Sequence, residues 1–176
     1  MLLKHGWDIN ECLGHIGDAL ILAIGPSNLP LVTYLLNNGA NPNANRRGHT
    51  NSPLEIAAIS ANPEIVQLLL KHDAEIYNRS ALHEAASYGR LQICHILIEA
   101  GDDVNVIPDN EDLFENATER DDWGTPLHGA AGNGHVECVY FLLEKSARKD
   151  IRNPNGLTPG EVARRRGHTE CAALLV

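Results

Sequence analysis

Nine histidines in 176 residues, several with acidic neighbours, raise the question of acid–base chemistry. The set on offer is His83, Glu84, His128 and Asp121 or Asp122. An imidazole near a carboxylate suits proton transfer close to neutral pH. The four cysteines offer less. Cys12, Cys94, Cys138 and Cys171 form no CxxC and do not stand at zinc-ligand spacing. They read as small buried thiols in a reducing compartment. There is no P-loop, GxSxG or HExxH. Beyond the histidine set the sequence implies no catalytic residue, no metal and no cofactor.

The histidines must be judged by the elements that carry them. His128 lies in "TPLHGAAGNGH", Thr125 to His135. Thr125 is a good N-cap, because its hydroxyl can satisfy an amide of the first turn. Pro126 then takes the first helical position, where its missing N–H costs nothing. Leu127, Ala130 and Ala131 make a thin apolar stripe. Gly134 stops the helix, since glycine enters the left-handed region cheaply. "HVECVYFLLEK" follows, with Val136, Val139, Leu142 and Leu143 at helical spacing. The stretch therefore predicts two short antiparallel helices.

The pattern recurs. "SALHEAASYGRLQICHILIEAG" begins at Ser80, "SPLEIAAISANPEIVQLLLKHDA" at Ser52, "DALILAIGPSNLPLVTYLLNNGA" at Asp18 and "TPGEVARRRGHTECAALLV" at Thr158. Each opens on an N-cap former: Asp18, Ser52, Ser80, Thr125 and Thr158. Ala19, Pro53, Ala81, Pro126 and Pro159 follow them, all suited to a first turn. The spacings are 34, 28, 45 and 33 residues.

With "TPLH", "GH", "LLEKSA", "LLNNGANPN" and "IEAGDDVN", the chain resembles an ankyrin-repeat protein over nearly its whole length. "WGTPLH" and "IPDNEDLFENATER" are also similar to stretches of stand-alone ankyrin-repeat proteins of filamentous fungi. The resemblance implies an all-α solenoid of stacked helix–turn–helix units with short β-hairpin loops. It gives His83 and His128 hydrogen bonds that tie the loops of neighbouring repeats. His135 and His168 start the outer helices. Ala85, Ala86, Ala130 and Ala131 let first helices approach closely, while bulkier second helices fill the outer layer.

Composition agrees with one intracellular domain. Apolar residues make up 43% of the chain and aromatics only 5%, so the core is aliphatic. A formal net charge of −9 argues against nucleic acid, which needs basic surface. No apolar run approaches the roughly 18 residues of a membrane span. "MLLKHGWD" has no signal-peptide core, which points to the cytoplasm and/or nucleus. For the same reason the "NAT" sequon at Asn116 carries little weight. Within the single domain 1–176 we expect a partial repeat over 1–10 and full repeats over 11–43 and 44–76. A repeat with a shortened hairpin covers 77–105. An acidic insert follows over 106–120, then a repeat over 121–151 and a capping repeat over 152–176.

Four departures from regularity carry information. The chain opens inside a repeat, so Leu2, Leu3 and the face of Asp18–Ile24 are short of cover. That end either continues into something longer or pairs with another molecule, a second copy included. "AEIYNRS" is about five residues short of a full ankyrin hairpin, which exposes Tyr77 and Arg79 near the groove. The Asn105–Thr125 connection is about twelve residues long in excess of the family period. It holds Asp109, Glu111, Asp112, Glu115, Glu119, Asp121 and Asp122. Asn110 could cap one helical turn with Leu113, Phe114 and Ala117 inward. Such loops either contact partners, close over a groove or are tolerated surface. In "ARRRGH", Arg164 replaces a small residue on an open capping face, and Arg165 and Arg166 project near the end of the concave surface.

The resemblance places binding on the concave first-helix face and the hairpin tips. Positions on that face are Ile59, Ser60, Ser87, Tyr88, Gly132, Asn133, Arg165 and Arg166. Hairpin positions are His15, His49, Asn51, Tyr77, Arg79, Asp122 and Trp123. Partner contacts favour Tyr, Trp and Arg. The candidate site is Tyr77, Arg79, Tyr88, Asp121, Asp122, Trp123, Asn133, Arg165 and Arg166. Its centre is expected around Tyr77, Arg79, Tyr88 and Trp123, and local packing is the competing role for the aromatics. The acidic insert favours a basic partner segment. The expected function is a non-catalytic protein–protein interaction module. The alternative is a small-molecule site or enzyme on the concave face under the insert, built on the histidine set.

Overall fold

The computed structural model describes residues 8–11, 18–44, 51–60, 62–76, 80–108 and 123–176. Leu2, Leu3, Cys12, His15, His49, Tyr77, Arg79, Asp121, Asp122 and the acidic stretch 109–120 lie outside them. Among the described residues there are ten helices and no strand. They come in pairs: α1 Ala19–Ile24 with α2 Leu29–Asn37, α3 Pro53–Ser60 with α4 Pro63–Lys71, and α5 Ala81–Ser87 with α6 Leu91–Glu99. Then follow α7 Pro126–Gly132 with α8 Val136–Glu144, and α9 Pro159–Arg165 with α10 Thr169–Leu174.

Each first helix starts one residue after an expected cap. Asp18 accepts from the Ile21 amide at 3.0 Å. Ser52 and Glu55 form a reciprocal capping box, with the Ser52 amide donating to Glu55 Oε2 at 2.6 Å and the Glu55 amide to Ser52 Oγ at 3.3 Å. Thr158 and Glu161 repeat it at 2.7 and 3.3 Å. At Thr125 a histidine takes the glutamate's part. The Thr125 amide donates to His128 Nδ1 at 3.1 Å, and the hydroxyl donates to the same nitrogen at 2.8 Å. Thr125→Val keeps the shape and loses the buried hydroxyl bond. We expect a loss of about 0.5–2 kcal/mol in urea unfolding; an unchanged midpoint would show that this bond contributes nothing.

The chain divides into two units, Met1–Glu75 and Ile76–Val176. In the first, α1 packs on α2 and α3, and α4 packs on α2 and α3. Leu20, Ala23 and Ile24 of α1 are buried, while Leu22 is 45% exposed. In the second, α5, α7 and α9 stack in one row and α6, α8 and α10 in another. The helix α7 lies between two neighbours, and all seven of its residues are buried. Small residues make that possible. A Cβ on Gly129 would run into Ser87 Oγ and approach the His83 ring. Leu54, Leu82 and Leu127 repeat as fully buried first-helix leucines.

The hairpin loops hold together without strand pairing among the described residues. In each unit an asparagine reaches into the next loop. The Asn10 amide donates to the Gly39 carbonyl at 3.2 Å, and its Oδ1 accepts from the Asn41 amide at 2.7 Å. Asn43 does the same to Asp73 and Glu75 at 2.9 and 2.8 Å. Asn105 does so to Ser146 and Arg148 at 3.4 and 2.8 Å. The last bridge spans the chain segment that contains the insert, so the register of stacking is kept across it.

Candidate functional site

The C-terminal ends of the stacked first helices bring three expected site residues into equivalent places. Tyr88 caps α5, Asn133 caps α7 and Arg166 caps α9. A left-handed glycine follows each: Gly89, Gly134 and Gly167, with φ of 67, 75 and 80°. The glycine before a histidine has a second role. A Cβ on Gly89 would sit 2.7 Å from His135 Nδ1, and one on Gly134 would sit 2.5 Å from His168 Nδ1. Each ring thus lies across the glycine of the preceding repeat, and His135 Nε2 donates to the Ser87 carbonyl at 2.9 Å. "GNGH" is therefore a turn that also admits the ring of the following repeat.

The row presents unlike groups. Tyr88 is 48% exposed. Asn133 is half-buried, its amide donating to the Gly129 carbonyl at 2.9 Å. Arg165 and Arg166 are exposed, and one Arg166 nitrogen reaches the Gly132 carbonyl at 3.5 Å. In the other unit Ile59 and Ser60 are half-buried at the end of α3.

Trp123 is not on this surface. It is 3% exposed and packs on the His83 ring, with centroids 4.6 Å apart and planes tilted by 53°. The reason is local. His83 Nδ1 donates to the carbonyl of Gly124 at 3.0 Å, which draws the preceding indole over the imidazole. The competing role, packing at the entry to α7, is the one Trp123 performs. Of the other expected site residues, Tyr77, Arg79, Asp121 and Asp122 lie outside the described residues.

The acid–base set is committed elsewhere too. His83 and His128 are fully buried. Ser87 Oγ lies 3.2 Å from His83 Nε2, so both His83 nitrogens are engaged. His128 Nε2 donates to the Leu157 carbonyl at 2.9 Å, as Nδ1 accepts from Thr125. Gly124 and Leu157 both stand just before the next repeat's cap, so the two rings perform one task in opposite orientations. Burial holds His128 below the ordinary histidine range, against the carbonyl that favours its charged form. Glu84 is buried.

Two clefts formed by described residues of the second unit are small. One, lined by Gly89, Gly134, His135, Val136, Glu137 and Cys138, holds about 240 Å³. A similar one beside Gly167 and His168 holds about 220 Å³. Both fall below the usual 300–1,000 Å³ of small-molecule sites. Among the described residues no group of three His, Cys, Asp or Glu could hold a metal ion, and no helix is long and apolar enough to cross a membrane.

Three features escaped the reading of residues. The bridging asparagines were visible as the ends of "DIN", "NPN" and "DVN". Asp102 stands where the corresponding loops bury Ala40, Ala74 and Ala147. Its Oδ2 is buried with no hydrogen-bond partner among the described residues, and burial pushes the carboxyl up to about 7. Cys94 and Cys138 face each other, which no spacing motif announces.

Repeated helix pairs, histidine ties across repeats and an asparagine ladder define a helical repeat protein. The family model for ankyrin repeats (3 copies) matches residues 20–107 and 110–176, and the chain belongs to that family. It is 34% identical to the nuclear factor NF-kappa-B p105 subunit of Gallus gallus over 165 residues, 89% of this chain and 16% of that protein. It is 33% identical to the transient receptor potential cation channel subfamily A member 1 of Homo sapiens over 130 residues, 71% of this chain and 11% of the channel. With the ankyrin repeat and KH domain-containing protein mask of Drosophila melanogaster it shares 33% over 114 residues, 62% of this chain and 3% of mask. The chain thus spans only a small part of each relative's length. Ankyrin repeats are in general non-enzymatic protein–protein interaction modules.

Proposed function

We propose that the chain binds another protein through the concave face that the first helices line and through the hairpin tips, without catalysis. The observation that carries this is the row Tyr88, Asn133, Arg165 and Arg166. Its members stand at the ends of first helices, and in α5 and α7 the helix's own histidine, His83 or His128, is consumed in holding the stack. Tyr88 offers aromatic area with a polar tip, and the arginines offer forked donors for carboxylates or carbonyls. Tyr77, Arg79, Asp121 and Asp122 extend the proposed surface towards the tips. Trp123, buried against His83, is left out of the proposed contact set. The acidic insert flanks the groove and, with the net charge of −9, favours a partner with a basic segment. The arginines then meet the end of that partner away from its basic part. The nuclear or cytoplasmic location belongs to the same reading.

The test is affinity capture from native lysate with four baits of confirmed helical content. These are wild type, Tyr88→Ala, Arg165→Ala with Arg166→Ala, and Tyr140→Ala. Tyr140 is 56% exposed on the second helix α8 and serves as the control for stickiness. A partner kept by wild type and Tyr140→Ala, and weakened at least about tenfold by Tyr88→Ala, supports the reading. Equal retention by all four baits contradicts the placement.

A further inference from the structure

Two free thiols meet between consecutive repeats. Cys94 on α6 and Cys138 on α8 are 0 and 1% exposed, and their helices pack side by side. The two side chains are close enough for one thiol to hydrogen-bond the other. Cys138 lies in the first turn of α8, where the unpaired amides of the helix favour a thiolate. It also lines the cleft of about 240 Å³ shared with Gly89, Gly134 and His135. That space is several times the roughly 30 Å³ of a water molecule.

We propose that Cys94 and Cys138 form an oxidisable dithiol, in which Cys138 meets a hydroperoxide and Cys94 resolves it into a disulfide between repeats. Position sorts the two roles, since Cys138 lies in the first turn of α8 and lines the cleft, and the electrostatics agree. The hydrogen bond from Cys94 holds Cys138 below the ordinary thiol range, although burial and Glu137 oppose this. Cys94 keeps its proton because it donates that bond, is buried and has Asp102 nearby. Cys171 has the same position in α10 as Cys138 in α8, three residues after a histidine cap. Burial and Glu170 push its thiol up, so it is an internal control.

The chemistry balances with hydrogen peroxide as oxidant. Cys138 Sγ attacks one peroxide oxygen. An S–O bond forms, the O–O bond breaks, and the leaving hydroxide takes the Cys138 proton to become water. Sulfur is oxidised by two electrons and the peroxide is reduced. Cys94 Sγ then attacks the sulfenic sulfur as it gives up its proton. The S–S bond forms, the S–O bond breaks, and the oxygen leaves as a second water. The product links the second helices on either side of α7 and closes a chain loop that includes the acidic insert.

The experiment exposes the native full chain to hydrogen peroxide, then blocks free thiols and maps peptides without reduction. We expect a Cys94–Cys138 linked peptide that dithiothreitol removes, while Cys171 stays a free thiol. In Cys94→Ser, Cys138 should accumulate as a sulfenic acid trapped by dimedone, at least about tenfold faster than Cys171. In Cys138→Ser, Cys94 should label no faster than Cys171. Circular dichroism before and after treatment shows that the fold persists. If a variant does not fold, the wild-type peptide map decides. A folded, oxidised wild type without the linked peptide overturns the proposal. So does Cys94 labelling in Cys138→Ser as fast as Cys138 labels in Cys94→Ser.

Discussion

Leu127→Ala lowers the unfolding free energy by about 2–5 kcal/mol. Leu127 is fully buried on α7, the helix whose every residue is covered. The α5 and α9 helices press on it from both sides. The surrounding parts are helices held by histidine bonds, from His83 to Gly124 and from His128 to Leu157. They cannot follow the shortened side chain inward without breaking those bonds. The cavity therefore stays open, which places the cost in the upper half of the range. Urea unfolding followed by circular dichroism reads the change. A loss under about 1 kcal/mol would mean that the repeats slide together to fill the gap.

Asp102→Ala works in the other direction and stabilises the chain by about 1–3 kcal/mol at pH 8. The corresponding loops bury alanine at this position, and here a carboxylate oxygen is buried without a partner among the described residues. Burial is the largest cause of the raised value, Asp103 adds to it, and the Asp103 amide opposes it. The sign follows from linkage. The folded-state value near 7 lies above the unfolded 3.8, so the folded chain holds a proton that the unfolded chain has released. The contribution of Asp102 to stability therefore falls as pH rises from about 4 to about 7 and levels off above. The gain from Asp102→Ala should shrink from pH 8 to pH 5. Thermal melts of both proteins at the two pH values test this. An equal gain at both, or a loss at pH 8, would show that the carboxylate is not the strained group. The same substitution removes the charge that helps Cys94 keep its proton.

The architecture was legible because caps and glycines act locally. Asp18, Ser52, Thr125 and Thr158 needed only the next three residues to become the bonded helix starts they are. Gly134 needed only its own backbone. The site was less legible because its members depend on other repeats. Trp123 looks like a hairpin-tip aromatic until the His83 bond to Gly124, 41 residues away in sequence, turns it inward. Cys94 is the fourth residue after its cap and Cys138 the third. An alignment of repeats sets them in different columns, and only side-by-side packing of α6 and α8 brings them together. The asparagine bridges are the opposite case. Asn10 and Asn43 stand 33 residues apart, so periodicity alone marks them, and the bonds they make explain why.

The measurement that tests the central claim most directly is hydrogen–deuterium exchange on the captured complex against the free chain. Binding through the first-helix ends predicts new protection around Tyr88–Arg90, Asn133–His135 and Arg166–His168, with α8 and α10 unchanged. Protection confined to the exposed faces of α8 and α10, with the Tyr88 row unaffected, would contradict the account.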